Sequence, residues 1–213
     1  MKLIFYIANG LVMPPAMFFM YNFHKLRRKE INFKKLYISI SIIFVTTLVT
    51  SLQFIFPEII TALERNKAAL LSGEIWRLIT PLFIQPMGLT QCLFNGVFFI
   101  SFLPIAEYLY GRSLIVIYFV TGFAGQIVNY YWDKGRGGSS TAIYGVIGSL
   151  FAYILLNRNY FPKGYIFLSI AGLLGATTLC FFQDGHATSL LLGGVLSLAF
   201  MKNETVAFQI NSQ

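Results

Sequence analysis

Six apolar runs without Asp, Glu, Lys or Arg follow one another along this chain, and each approaches or exceeds the length a helix needs to cross a membrane, about 17 to 25 residues. The runs occupy 36–56, 89–106, 113–132, 139–157, 164–183 and 186–201. Charged residues make up only 11% of the sequence and hydrophobic residues 56%, whereas soluble domains are about one-quarter charged. The sequence therefore predicts an all-α polytopic membrane protein, folded as a bundle of six transmembrane helices.

The bundle is expected to occupy residues 36–202, with a hydrophobic segment and basic anchor before it at 1–35 and a short tail after it at 203–213. Within the first segment, Met1–Phe23 is apolar but is interrupted by Asn-Gly and Pro-Pro pairs, and no small-residue cleavage site precedes the basic cluster. A cleaved signal peptide is therefore not expected. Two interpretations stay open: an additional spanning helix, or a kinked segment in the membrane interface.

The basic residues indicate the orientation of the bundle. If residue 35 is cytoplasmic, the inner segments carry Lys25, Arg27, Arg28, Lys29, Lys34, Lys35, Arg112, Arg158, Lys163 and Lys202, and the outer ones carry Arg65, Lys67, Arg77, Lys134 and Arg136. Lys and Arg concentrate on the cytoplasmic side, so both ends of the bundle are predicted to lie inside. The net charge of +8 comes largely from the basic cluster between apolar segments, which favours an anchor on anionic lipid over a nucleic-acid surface.

Two residues able to form a nucleophile and a base stand at matching ends of two runs. Ser140 follows the glycine-rich stretch that ends in Gly138, and His186 begins the last run. An ionisable group in a membrane helix is a functional candidate, and a serine becomes a nucleophile when a base lies within hydrogen-bond reach. The alternatives are that Ser139 or Ser140 only caps a helix and that His186 is a satisfied histidine at a helix start. In the predicted topology both residues lie near the outer face.

Other polar and small residues are placed to support such a pair. Asn95 lies within the second run and needs a hydrogen-bond partner or a substrate oxygen, and Gln91 lies four residues earlier on the same helical face. Tyr144, one turn after Ser140, is expected to stack on the imidazole of His186. Asp184 precedes His186 by two residues and is a candidate third member of a triad. Residues two apart do not share a helical face, so we expect Asp184 at the mouth of the helix instead.

Small residues in the fourth and sixth runs predict close packing of these two helices. They are Gly145, Gly148, Ser149, Ser189, Gly193 and Gly194. Cys92 and Cys180, the two cysteines, lie in apolar runs and lack metal-ligand spacing, so both are interpreted as small buried hydrophobes. The longest connection, 57–88, mixes charged and apolar residues and is expected to dip into the outer leaflet. Within it, Trp76 and Arg77 form either a membrane-loop anchor or part of a plain surface loop.

Over residues 36–202 the chain resembles the rhomboid intramembrane serine proteases. Trp76-Arg77 resembles the Trp-Arg motif of that family's first outer loop, and Asn95 matches its second-helix Asn. Glu107 with Gly111 resembles the acid and glycine that close the same helix. The matches further along the chain are Gly138-Ser139-Ser140-Thr141, Tyr144, and His186 with Ser189 and Gly193.

The resemblance implies a Ser140–His186 dyad. It also implies an oxyanion hole formed by Asn95 and the backbone N–H of Ser140, with Gly138 allowing close backbone approach. It implies a transmembrane protein as substrate, entering between the second and fifth helices, and no cofactor or metal. The chain departs from the family at Gln85 and Gln91, where histidines are common, and at Thr141 and Ser189, where the family has glycine.

Two functions are therefore considered. The first is an intramembrane serine endopeptidase of a bacterial inner membrane, cleaving transmembrane segments near the outer face. The alternative is a catalytically inactive rhomboid-like protein that binds membrane clients, which Thr141 and Gln91 favour. A transporter is less consistent with the sequence, because transporters usually contain internal repeats and paired charges at the midplane. The sequence does not indicate the oligomeric state.

Overall fold

The computed structural model describes residues 36–200 together with Ala16, Met17 and Tyr21. Its helices in residues 36–200 are α1 (Tyr37–Ile55), α2 (Glu58–Leu63), α3 (Lys67–Leu71), α4 (Leu89–Tyr110), α5 (Ser113–Tyr131), α6 (Ser140–Leu156), α7 (Lys163–Phe181) and α8 (Gly185–Phe200). Three short 3-10 turns, at Ile75–Leu78, Thr80–Leu82 and Arg158–Tyr160, are the other helical elements there. The predicted 203–213 tail lies outside the described residues, as does nearly all of the 1–35 segment with its possible extra helix.

Each of the six predicted runs forms one helix, so the all-helical polytopic bundle is confirmed. The helices α1, α4, α5 and α7 are long and apolar enough to cross a membrane. The helices α6 and α8 are apolar but have 17 and 16 residues. At 1.5 Å per residue each rises only about 25 Å, less than the roughly 30 Å of a hydrocarbon core. The two short helices are the ones that begin at Ser140 and beside His186.

Helix α4 continues beyond the predicted end of the second run. That run stops at residue 106, before the charge of Glu107, but α4 extends to Tyr110. The carboxylate of Glu107 accepts hydrogen bonds from the backbone N–H groups of Ile38, at 3.0 Å, and Ser39, at 2.7 Å. These N–H groups begin α1 and have no intrahelical acceptor, and a carboxylate there also complements the helix dipole. Because the start of α1 pairs with the charge of Glu107, this charge does not end α4.

Replacing Glu107 with alanine is expected to lower the free energy of unfolding by about 2 to 3 kcal/mol, because two N–H groups lose a charged acceptor. Glu107→Gln keeps one acceptor of similar shape, so we expect roughly half that loss. Unfolding by SDS in mixed micelles, followed by circular dichroism, would measure both variants. Unfolding curves of Glu107→Ala that coincide with the wild type would show that this junction does not stabilise the bundle.

Helix α6 lies at the centre of the bundle. Thirteen of its 17 residues are buried, and it packs against α4, α5, α7 and α8. In α1 and α7, by contrast, only 28% of the apolar span is buried, and large apolar side chains such as Phe44 and Phe167 are exposed. A membrane protein presents such faces to lipid, so α6 is the helix most shielded from the bilayer.

Glycines bring α6 and α8 into backbone contact, as the small residues predicted. A methyl group at Gly193 would overlap the carbonyl oxygen of Gly145, and one at Gly148 would overlap the carbonyl oxygen of Leu190. At Gly145 itself the obstacle would be the side chain of Thr121 in α5. The absence of side chains at these glycines therefore sets the distance between the helices that carry Ser140 and His186.

The α1–α4 connection is held together by Arg77, which is 6% exposed. Its guanidinium forms an ion pair with Glu74 at 2.7 Å and donates to the carbonyl oxygens of Thr61, at 3.0 Å, and Glu64, at 2.7 Å. The neighbouring Trp76 is 49% exposed. Arg77 therefore holds the loop together from within. Of the pair, Trp76 is the residue that is exposed and available to a membrane surface.

The same connection is fastened to the segment between α5 and α6. The backbone N–H of Arg65 donates to the carbonyl oxygen of Arg136 at 2.7 Å, and its Nε donates to that of Gly135 at 3.2 Å. The N–H of Gly138 donates to the carbonyl oxygen of Pro81 at 2.8 Å. We call these three bonds the loop clasp. The clasp fixes the segment that leads directly into Ser140.

Candidate active site

Ser140 and His186, which are 46 residues apart in sequence, are in direct contact. Ser140 is the first residue of α6 and His186 the second residue of α8. The His186 Nε2 lies 2.8 Å from the Ser140 Oγ, within hydrogen-bond distance. The predicted meeting of the two side chains is therefore confirmed. The hydrogen bond has the geometry in which an imidazole activates a serine hydroxyl.

The backbone before Ser140 requires glycine. Gly137 and Gly138 both have φ of +141°, a conformation that residues with a side chain rarely adopt. A methyl group at Gly138 would also overlap the Nε2 of Gln91, and one at Gly137 would press on Pro81. The glycines thus let the chain pass close to its neighbours and enter α6 with Ser140 facing the cavity.

The imidazole of His186 also packs against an aromatic ring. The rings of Tyr144 and His186 have centroids 4.6 Å apart and are tilted by 50°. Tyr144 is buried, one turn after Ser140 on α6. The ring contact expected from the sequence is therefore present, and it restricts the rotation of the His186 side chain.

Asp184 contacts His186, which corrects the sequence-based expectation. Its Oδ1 lies 2.5 Å from the His186 Nδ1 and also accepts the backbone N–H of His186 at 3.0 Å. The rule that residues two apart face different directions applies within a helix, but Asp184 precedes α8, so its side chain folds back over the first turn. Burial favours the neutral carboxyl, yet His186 and, more weakly, Lys134 outweigh that effect and hold the pKa of Asp184 below its usual range.

The two predicted amides have different surroundings. Asn95, 4% exposed, donates from Nδ2 to the Oε1 of Gln85 at 2.7 Å and is absent from the wall of the Ser140 cavity. Gln91 lines that cavity, donates from Nε2 to the carbonyl oxygen of Gly137 at 3.2 Å and accepts the N–H of Met87 at 2.9 Å. Gln91 is therefore the amide beside the nucleophile, and Asn95 lies within a buried network.

Gln85 is the centre of that network and was noted in the sequence only as a departure from the family. It is 1% exposed and donates from Nε2 to the Oγ of Ser139 at 2.9 Å. Its backbone N–H and C=O both pair with the side chain of Gln53 in α1. The network thus links α1, α4 and the residue before the nucleophile.

Further amides from α5 support the site and were missed. Gln126 accepts a hydrogen bond from Arg65 and donates to the Thr141 Oγ1 at 3.2 Å. Asn129 accepts the backbone N–H of Gly185 at 3.2 Å, just before His186. The signal available in the sequence was the one used for Asn95, because an amide within an apolar run needs a partner.

The dyad opens into a cavity of about 720 Å³. Its wall includes Ser140, His186, Gln91 and three cationic residues of the loops, which are Arg65, Lys134 and Arg136. Burial lowers the pKa of Arg65 to about 10, so this guanidinium remains charged at neutral pH. Residues 36–200 contain no group of three His, Cys, Asp or Glu side chains that could hold a metal ion. The serine, the imidazole and these hydrogen-bond donors are the groups that the cavity presents to a bound molecule.

Comparison with known proteins assigns this arrangement to a family. The rhomboid domain profile matches residues 72–203. In Bacillus subtilis (strain 168), the protein named "Putative rhomboid protease YdcA" is 35% identical over 92 residues, which cover 41% of this chain and 45% of that relative. "Rhomboid protease GluP" of the same organism is 30% identical over 101 residues, which cover 46% of this chain and 20% of that relative.

The matched regions span less than half the length of either relative. The family profile, in contrast, covers more than half of the 213 residues and includes α4 to α8 with both Ser140 and His186. The chain is a multi-pass integral membrane protein of the rhomboid family.

Proposed function

We propose that this protein is an intramembrane serine endopeptidase that cleaves a transmembrane segment of another protein. The observation that carries the proposal is the 2.8 Å contact between the Ser140 Oγ and the His186 Nε2. A serine hydroxyl is a weak nucleophile until a base takes its proton, and His186 is the base within reach. The names of the two relatives, which both contain the words rhomboid protease, support the same activity.

The reaction would proceed in two stages. As the Ser140 Oγ bonds to the carbonyl carbon of the peptide, its proton moves to the His186 Nε2. The C–N bond then breaks and His186 gives this proton to the leaving amine, so that an acyl ester on Ser140 remains. In the second stage His186 takes a proton from water, the hydroxide attacks the ester carbon, and the proton returns to Ser140 as the acid is released.

The negative charge on the carbonyl oxygen needs hydrogen-bond donors. The first N–H groups of α6 have no intrahelical acceptor, and the positive end of the helix dipole is at Ser140. Gln91, whose Nε2 lies next to Gly138, is placed to add a side-chain donor. Asn95 would join it, as the family resemblance implies, if its amide turned away from Gln85.

The proposed setting is a bacterial inner membrane, with the active site facing the exterior or periplasm. The excess of basic residues on the segments assigned to the inside supports this orientation. In this orientation the starts of α6 and α8 would lie at the outer side. The substrate would then be cut near the outer membrane surface, within reach of water from the cavity.

One observation favours the second candidate, a rhomboid-like protein that binds clients without cleaving them. The side-chain nitrogens of Gln91 and Asn95 already donate to Gly137 and Gln85. If these bonds persist when a client is bound, each amide keeps only its second N–H, in a direction set by the existing bond. An oxyanion outside that direction would lack both side-chain donors. Binding in the cavity would then occur without efficient acylation.

Labelling by a fluorophosphonate separates the two candidates without knowledge of the substrate. The purified protein in detergent or bilayers would be treated with the probe, and the adduct would be mapped by peptide mass spectrometry. A protease is expected to carry the adduct on Ser140, whereas Ser139, bound to Gln85, should remain unmodified. Folded protein that takes no label while it still retains a single-span client would instead favour the binding function.

A further inference from the structure

We propose that Asp184 is a positioning residue for His186, so that Ser140, His186 and Asp184 act as a triad rather than as a dyad. The proposal rests on the proposed function and extends it. The carboxylate would select the tautomer of the imidazole and stabilise the positive charge that forms when His186 takes the proton of Ser140.

Asp184 and Ser140 contact opposite nitrogens of the His186 imidazole. Asp184 Oδ1 is 2.5 Å from Nδ1, and Ser140 Oγ is 2.8 Å from Nε2 on the opposite side of the ring. An ionised carboxylate can only accept hydrogen bonds, so Nδ1 must be the protonated nitrogen. The lone pair of neutral His186 then lies on Nε2, where it faces the hydroxyl of Ser140.

The surroundings make this contact stronger than a surface ion pair. The side chains of Asp184 and His186 are 15% and 28% exposed, and a charge pair attracts more strongly where water is restricted. The attraction of His186 also contributes to the lowered pKa of Asp184, so the carboxylate is ionised at neutral pH. An imidazolium formed during catalysis would therefore meet a fixed negative charge.

A purely structural role would explain only part of the geometry. Asp184 immediately precedes α8 and accepts the backbone N–H of His186 at 3.0 Å, which is the bond of a helix N-cap. A cap has no need of the ring, yet the same Oδ1 also lies 2.5 Å from Nδ1. The test must therefore remove the ring contact and keep the cap.

Asp184→Ser meets this requirement, because a serine caps a helix well but is too short and uncharged to replace the carboxylate. We expect the midpoint of thermal unfolding to stay close to that of the wild type, while the rate of fluorophosphonate labelling at Ser140 falls by about 10²-fold or more, because proton transfer by a well-placed base is worth that much. Asp184→Glu should recover part of that rate because it restores the charge. Asp133→Asn is the matched control, since Asp133 is an exposed acid of the neighbouring loop.

The tautomer of His186 gives a readout that does not depend on activity. The chain contains two histidines, so ¹⁵N-histidine labelling of the His24→Gln variant leaves His186 as the sole signal. At a pH where the ring is neutral, we expect the proton on Nδ1 in this otherwise wild-type protein and a shift toward Nε2 when Asp184→Ser is added. The two samples differ only in the side chain at position 184, so a difference in tautomer would report the contact between Asp184 and His186.

The outcomes distinguish the two proposals. If the wild type labels and Asp184→Ser labels equally fast with an unchanged tautomer, Asp184 is only a cap and the triad is wrong, while the protease proposal stands. If the wild type does not label at all, the protease proposal fails, and the ¹⁵N spectra still decide whether Asp184 sets the tautomer.

Discussion

Replacing Ser140 with alanine is expected to reduce cleavage of a single-span substrate by about 10⁴-fold or more, and replacing His186 with alanine should have a similar effect. In the proposed reaction the serine would supply the bond-forming oxygen and the histidine would take its proton, so neither could act without the other. Residues that act as a unit are not additive, and the double variant should therefore be no slower than either single variant.

Cleavage would be measured in proteoliposomes that contain the protein and a single-span reporter, with the product quantified over time. Ser140 and His186 are only partly buried, so both variants should fold and unfold with nearly the wild-type midpoint. Thr177→Ala is a suitable control, because its exposed hydroxyl donates to Leu173 in the same helix. Wild-type cleavage rates in either active-site variant would show that another group performs the reaction.

The second large effect is expected from Gly193→Ala. The new methyl group would overlap the carbonyl oxygen of Gly145, and a backbone oxygen cannot move aside as a flexible side chain can. Inserting a methyl into such a contact costs about 1 to 3 kcal/mol. Relief requires α6 and α8 to separate, and displacement by about 1 Å at a catalytic pair lowers rates by roughly 10²-fold.

Gly194→Ala provides the matched control for this variant. The same substitution one residue later places the methyl 3.7 Å from the carbonyl oxygen of Gly148, which is an ordinary contact. Both variants gain the same helix propensity, so the difference between them isolates the overlap. SDS unfolding and reporter cleavage would be measured on both, and equal results would mean that contact between α6 and α8 does not position the dyad.

The helices and the main contact of the site could be predicted from the sequence because both depend on strong local signals. A helix is the only way to satisfy the backbone in a long apolar run, and small residues in two such runs predict close approach. Ser140 and His186 stand at the starts of the two helices that approach each other, so their meeting followed. The full length of α4 could not be predicted, because Glu107 is paired by backbone N–H groups of α1, which is distant in sequence.

The polar support of the site could be predicted only in part. The amides of Asn95, Gln126 and Asn129 are detectable as polar residues in apolar runs, but their partners lie in other elements. Gln85 pairs with residues 32 and 54 positions away, which no spacing rule connects. Asp184 was misjudged because its backbone lies outside the helix, where face rules do not apply.

The loop clasp has a consequence for how this scaffold can change over time. The orientation of Ser140 depends on the bonds that Arg65 donates to the segment before α6 and on the bond that Gly138 donates to Pro81. These residues all lie outside the membrane-spanning helices. Substitutions in these few loop positions can therefore displace the hydroxyl while the spans remain intact. Under the proposed function, such loop substitutions would abolish cleavage and leave intact the helices that a bound client would contact.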